Sequence, residues 1–130
     1  MAIYHCSVKI ISRSSGRSSV ASAAYRAGEK LYNEYDGCTH DYSKRNDIVH
    51  TEIILPDNAP EKFKDRETLW NEVEKTEKRI DSQTAREVEI ALPIELNREE
   101  QIALVREYVT ENFVKQGMCV DFAIHTGSHE

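Results

Sequence analysis

Residues 2–11, AIYHCSVKII, are apolar and rich in β-branched side chains, the pattern of a strand. The run SRSSGRSS (12–19) interrupts it with serine, glycine and arginine and ends in two N-cap residues, Ser18 and Ser19. The spacing that follows predicts a helix over 20–32. At about 100° per residue, Val20, Ala23, Ala24, Ala27 and Leu31 share one core stripe. Residues 33–48 are polar, turn at Asp36-Gly37, and read as a loop with room for a short strand. HTEIILP (50–56) is a predicted strand stopped by proline. Residues 60–80 form a predicted helix with Phe63, Trp70, Val73 and Ile80 on its apolar stripe. AREVEIAL (85–92) alternates with a period of two up to Pro93. Asn97 and Glu100 have capping-box spacing before a helix that carries Ile102, Val105, Val109 and Phe113, with Gly117 as its C′ residue. Residues 118–125 complete the order βαβαβαβ, an α+β pattern of helices packed on a sheet.

The same periodicities sort side chains by face. Tyr25 lies roughly 140° from Val20, off the core stripe, in the company of Ser18, Ser22, Glu29 and Tyr32. Along 85–92, Val88, Ile90 and Leu92 form an apolar face for helices, and Glu87 and Glu89 take the other. Along 118–125, Met118, Val120, Phe122 and Ile124 are opposed by Asp121 and His125. Were these two strands neighbours, Glu87 or Glu89 would orient His125 through its second ring nitrogen, as carboxylates do for metal-bound imidazoles. The structural reading of the same positions is a surface tyrosine and an open, solvated sheet face. His125 and His129 are four apart, a spacing that suits ligation on a helix, whereas the T-G-S between them reads as a turn.

Composition bounds the class. The chain has 130 residues, the size of one domain, and is 39% hydrophobic and 31% charged, as folding chains are. No window approaches the roughly 18 apolar residues of a membrane span, and no secretory signal pattern opens the sequence. A net charge of −6 argues against a nucleic-acid partner until the chain is divided. Residues 1–50 hold seven basic against five acidic side chains; residues 51–130 hold ten against eighteen. Lys9, Arg13, Arg17 and Arg26 gather around the Ser-rich loop and Tyr25, and are the candidate phosphate contacts, with Ser15 or Ser18 as donors. Cys6, Cys38 and Cys119 form no C-x-x-C pair and are read as reduced thiols, with Cys6 and Cys119 as small core residues. His5, His40 and His50 have no partner at diagnostic spacing, and no phosphate loop, dinucleotide fingerprint or H-E-x-x-H is present.

Three blocks together resemble a known family. MAIYHCSVKIISRSSGRSSVASAAYRAG, QTAREVEIALPIEL and LVREYVTENFVKQGMCVDFAIH are similar to the N-terminal part of MobA/MobL (TraA-like) plasmid relaxases, endonucleases of the HUH class. The resemblance is collinear over nearly the whole chain. It implies a single relaxase-like domain over 1–130, α+β, with a central, mostly antiparallel β-sheet and packed helices. It also implies strand-specific nicking of single-stranded or hairpin origin-of-transfer DNA in the cytoplasm, with accessory relaxosome proteins as partners. Tyr25, in SAAYRAG, falls on the family's catalytic tyrosine, which becomes linked to the 5′ end of the DNA. His125, in FAIH, matches the first of three histidines that hold a divalent metal, Mn or Mg. Glu87, in ARE, matches an acidic residue near that metal. The family's His-x-His pair has no counterpart up to Glu130. The expectation is therefore a domain truncated on its C-terminal side, binding metal weakly or not at all and nicking poorly. The alternative is a non-catalytic DNA-binding or interaction module that keeps the fold.

Overall fold

The structure, a computed structural model, describes residues 5–12, 18–77 and 83–126, the side chains of 5–7 and 83 excepted. Strand β1 (His5–Ser12) precedes helix α1 (Ser19–Ala27), which starts where the serines place it. The Ser18 hydroxyl accepts the Ala21 N–H at 3.1 Å, an N-cap worth about 1 kcal/mol. Val20, Ala23, Ala24 and Ala27 are buried, so the predicted stripe is the observed one.

The predicted helix over 20–32 is nevertheless too long. Gly28 adopts the left-handed conformation (φ 66°, ψ 43°), and the Glu29 N–H bonds back to the Ala24 carbonyl at 3.0 Å, ending the helix. The chain reverses into a hairpin of β2 (Lys30–Asn33) and β3 (Cys38–Asp41), turning at Asp36-Gly37 as expected. Leu31 still reaches the core, but from a strand.

Strand β4 (Ile48–Ile54) follows, then a 3₁₀ turn (Glu61–Lys64) and helix α2 (Arg66–Thr76). Asp65 caps α2 by accepting the Thr68 N–H at 3.1 Å, which moves the helix start well past residue 60. Ile80, expected on this helix, lies outside the described residues. The face of α2 turned inward is more polar than predicted: Arg66, Asn71 and Glu74 are buried alongside Leu69. Each has backbone or charge to satisfy. Glu74 accepts the Ser19 N–H (3.0 Å) and hydroxyl (2.7 Å) at the start of α1. Asn71 donates to the Tyr32 carbonyl (2.8 Å) and accepts the Glu34 N–H (2.9 Å), while Glu67 accepts the Tyr32 N–H (2.7 Å). Side chains of α2 thus serve the edge of β2 as a neighbouring strand would.

Strand β5 (Gln83–Ala91), helix α3 (Arg98–Asn112) and strand β6 (Val120–His125) complete the chain. The capping box of α3 is formed in both directions, Glu100 N–H to Asn97 at 2.8 Å and Asn97 N–H to Glu100 at 3.0 Å. Gly117 (φ 91°) closes a 3₁₀ turn at Val114–Gln116 rather than α3 itself, which stops at Asn112.

All described strand pairing is antiparallel: β1 with β5, β2 with β3, β4 with β6. The ladders therefore form three pairs, and β5 and β6 are not hydrogen-bonded neighbours. The arrangement in which Glu87 or Glu89 orients His125, conditional on these two strands being neighbours, is corrected accordingly: among the described residues β5 pairs with β1 and β6 with β4. α3 packs on β4–β6, where Val109 meets Phe122 and Ile124, and Arg106 clamps Glu52 with both N···O distances at 2.9 Å. The apolar face of β1–β5 is left half open, with Val8 59% exposed opposite the half-buried Val88. The expected helix contact is made at the end of this face, where Leu92, just past β5, packs against the cluster that Val109 of α3 forms with Phe122 and Ile124.

Candidate active site

Tyr25 sits in the last turns of α1 on the side opposite the alanine stripe, and 56% of it is exposed. Its hydroxyl has no hydrogen-bond partner among the described residues. Beside it opens a cleft of about 450 Å³ lined by Lys9, Ser18, Ser22, Tyr42, Glu87 and Glu89. Strand register explains the charged wall. Lys9 stands opposite Glu87 in the β1–β5 ladder, so both project from the same face, toward α1. Of the residues singled out in the sequence, Tyr25, Glu87, Lys9 and Ser18 are therefore brought together by the fold. Arg13, Arg17 and Ser15 lie outside the described residues.

Arg26 belongs to a different arrangement. Its guanidinium meets Glu87 at 3.3 Å and Asp121 at 3.6 Å, so its described partners are protein carboxylates. The Asp121 side chain is 1% exposed and receives Arg66 Nε at 2.9 and 2.8 Å and the Trp70 indole N–H at 2.8 Å. Arg66 also reaches Glu29 at 2.9 Å. Burial pulls the Arg66 guanidinium down, but Asp121 and then Glu29 outweigh it and hold the group firmly charged. This network was not legible in the sequence. Its one signal is Asp121 itself, a carboxylate set between the apolar Val120 and Phe122.

His125 ends β6, exposed, opposite Ile48. It does not line the Tyr25 cleft. The nearby Asp47 carboxylate is engaged by Arg45, whose Nε and NH2 reach its two oxygens at 3.0 and 2.7 Å. Among the described residues no group of three His, Cys, Asp or Glu side chains is arranged to hold a metal. Among the described residues His125 is not joined by two further such donors, so they do not complete a metal site. No helix among them is long and apolar enough to cross a membrane. Cys119 is half-buried, which pushes its thiol up, while Cys38 is exposed. The core position expected for Cys119 is thus only partly reached, and the Cys6 side chain lies outside the described residues.

The chain is similar to known proteins over almost its whole length. A family model described as the MobA/MobL family matches residues 17–130. The conjugal transfer protein TraA of Rhizobium radiobacter is 44% identical over 135 residues, covering 96% of this chain and 12% of the relative. The mobilization protein MobL of Acidithiobacillus ferridurans is 44% identical over 125 residues, covering 96% of this chain and 32% of the relative. A solved structure described as the molecular basis of vancomycin resistance transfer in Staphylococcus aureus superposes with a TM-score of 0.89 at 38% identity. That match covers 96% of this chain and 63% of the solved one. The chain thus spans a minor part of the curated relatives' length, and the α+β fold expected from the resemblance is the fold observed.

Proposed function

Because the chain belongs to the MobA/MobL family, we propose that it carries the tyrosine nucleophile of a plasmid-mobilisation relaxase. The observation that carries this reading is Tyr25, whose hydroxyl has no hydrogen-bond partner among the described residues and which lines a cleft that also holds Lys9 and Glu87. In the proposed reaction the phenolic oxygen attacks a DNA phosphorus and the bond from phosphorus to the 3′ oxygen breaks. The 5′ side of the DNA stays esterified to Tyr25, and the 3′ oxygen leaves with a proton. One phosphoester replaces another, so the link can later be rejoined.

Phenols ionise at about pH 10, so a nucleophilic tyrosine needs a base or a cation beside it. Glu87, steadied by Arg26, is one of two carboxylates on the cleft, with Glu89, and is the one assigned to accept the phenolic proton through solvent. Lys9 presents its ammonium from the same face and meets the phosphate. A divalent cation, Mn or Mg, belongs to the proposal, with His125 as the ligand this chain would offer it. Because the described donors do not complete its site, no step here is routed through it. The DNA partner is single-stranded or hairpin origin-of-transfer DNA, with accessory relaxosome proteins alongside.

The test is a labelled origin-of-transfer oligonucleotide incubated with the protein and Mn²⁺ or Mg²⁺. Because the described residues do not complete a metal site, residues 1–130 by themselves are expected to give little product. With the full set of metal ligands supplied, the expected product is a covalent adduct that resists denaturation and is lost in Tyr25→Phe. An adduct that persists in Tyr25→Phe overturns the assignment. DNA binding with no adduct even when the full set of metal ligands is supplied selects the non-catalytic binding module instead.

A further inference from the structure

The loop between β3 and β4 carries Arg45, a residue without any mark in the sequence pattern. We propose that Arg45 is a positioning residue for Tyr25, a strut that holds the tyrosine ring and ties it to the end of the β4–β6 ladder. The proposal rests on the reading of Tyr25 as the nucleophile.

The guanidinium lies over the Tyr25 ring, 4.5 Å from its centroid. It is set there by other contacts. NH1 donates to the Tyr25 carbonyl at 2.7 Å, and Nε and NH2 fork onto Asp47. Three of its nitrogens are therefore committed before the ring is considered, and the ring rests on a preassembled plane. The Tyr42 ring bounds it as well, with centroids 5.2 Å apart and planes at 87°. A tyrosine this exposed ordinarily samples several side-chain rotamers, and a cation with an aromatic neighbour removes that freedom.

The strut also has a far end. The Asp47 carbonyl accepts the N–H of Thr126, the residue after His125, at 3.0 Å. Contacts thus run without a gap from Tyr25 through Arg45 and Asp47 to the strand that carries His125. Gly28 lets the loop come this close. A Cβ there would stand 3.0 Å from Ile48 Cγ1 and 3.6 Å from Arg45 Cβ. In-line displacement at phosphorus requires the attacking oxygen to be held in one place, which is what such a strut supplies. The same contacts leave Arg45 engaged with protein groups rather than poised as a loose phosphate contact.

The test reads ring position rather than turnover. The chain is made with 3-fluorotyrosine, the Tyr25 resonance is identified by its loss in Tyr25→Phe, and ¹⁹F NMR spectra are compared among variants. In Arg45→Gln the Tyr25 resonance should move to the position of an unstructured fluorotyrosine, while that of Tyr108, packed against Phe113 on α3, stays. Arg45→Lys keeps the charge and loses the fork, and should move the Tyr25 resonance as well. If Tyr25 does not move in either variant while Tyr108 holds its place, the strut is refuted. Should Arg45→Gln unfold, seen as collapse of the Tyr108 resonance too, Arg45→Lys decides by the same criterion. A moved resonance in a protein that forms no Tyr25-dependent adduct even with the full set of metal ligands supplied leaves the strut standing and overturns the nucleophile reading alone.

Discussion

Arg66 Nε lies 2.9 and 2.8 Å from the two carboxylate oxygens of Asp121, a pair almost closed to solvent. With Trp70 and Arg26 on the same carboxylate, Asp121 joins α2, β6 and α1 at one point. Removing one member of a buried pair strands the other's charge, a loss of about 3–5 kcal/mol. Asp121→Ala is expected to lose stability on that scale, read as a lower urea midpoint. A loss below about 1 kcal/mol would mean that Glu29 alone suffices for Arg66.

Arg26 and Lys9 were read alike in the sequence, and the fold separates them. Arg26 is half-buried between Glu87 and Asp121, and its buried Nε has no hydrogen-bond partner among the described residues. Lys9 is exposed on the cleft. Arg26→Gln is expected to cost about 1–3 kcal/mol, and Lys9→Gln to stay within about 0.5 kcal/mol, in thermal unfolding. Equal effects would contradict the placement.

Acid should weaken the fold in a defined window. Burial pushes the Glu52 carboxyl up, but hydrogen bonds from Arg106 and His50 outweigh it and hold it below its ordinary 4.5. Hydrogen bonding from Arg45 lowers Asp47, and from Ser43 lowers Asp41, each below 3.8. A carboxyl depressed on folding stabilises the protein above its unfolded value, and that contribution is lost as pH falls through the folded one. Stability should therefore hold from neutral pH down to 4.5 and decline below it. Glu52→Gln should shrink the decline, in chemical unfolding repeated across that range.

Gly28 and Gly37 both have positive φ, 66° and 68°, but only Gly28 is crowded. A Cβ at Gly28 meets Ile48 at 3.0 Å, whereas at Gly37 the nearest atom is 4.0 Å away. Each alanine carries about 1–2 kcal/mol of left-handed strain. Gly28→Ala should exceed Gly37→Ala in urea unfolding, and the difference reads the close approach of the Arg45 loop.

Cys38 is exposed, while burial raises the Cys119 thiol above 9.0. Thiolate is the reactive form, so iodoacetamide should modify Cys38 before Cys119 in the native protein, by peptide mass mapping. Equal rates would show Cys119 to be open.

The sequence by itself determined what depends on neighbours along the chain. The stripe of Val20, Ala23, Ala24 and Ala27, the Asn97–Glu100 capping box and the exposed face of Tyr25 follow from helical geometry and local hydrogen bonding, and all are found as expected. Gly28 shows where such reasoning stops, because the burial of Leu31 suits a helix and a returning strand equally well. Only the tertiary structure decided which strands pair, and so why Glu87 stands beside Lys9 rather than His125. It alone brought Arg45 over Tyr25, 20 positions away, and Arg66 onto Asp121, 55 away. Contacts at that separation depend on how the whole chain closes, and periodicity carries no record of them.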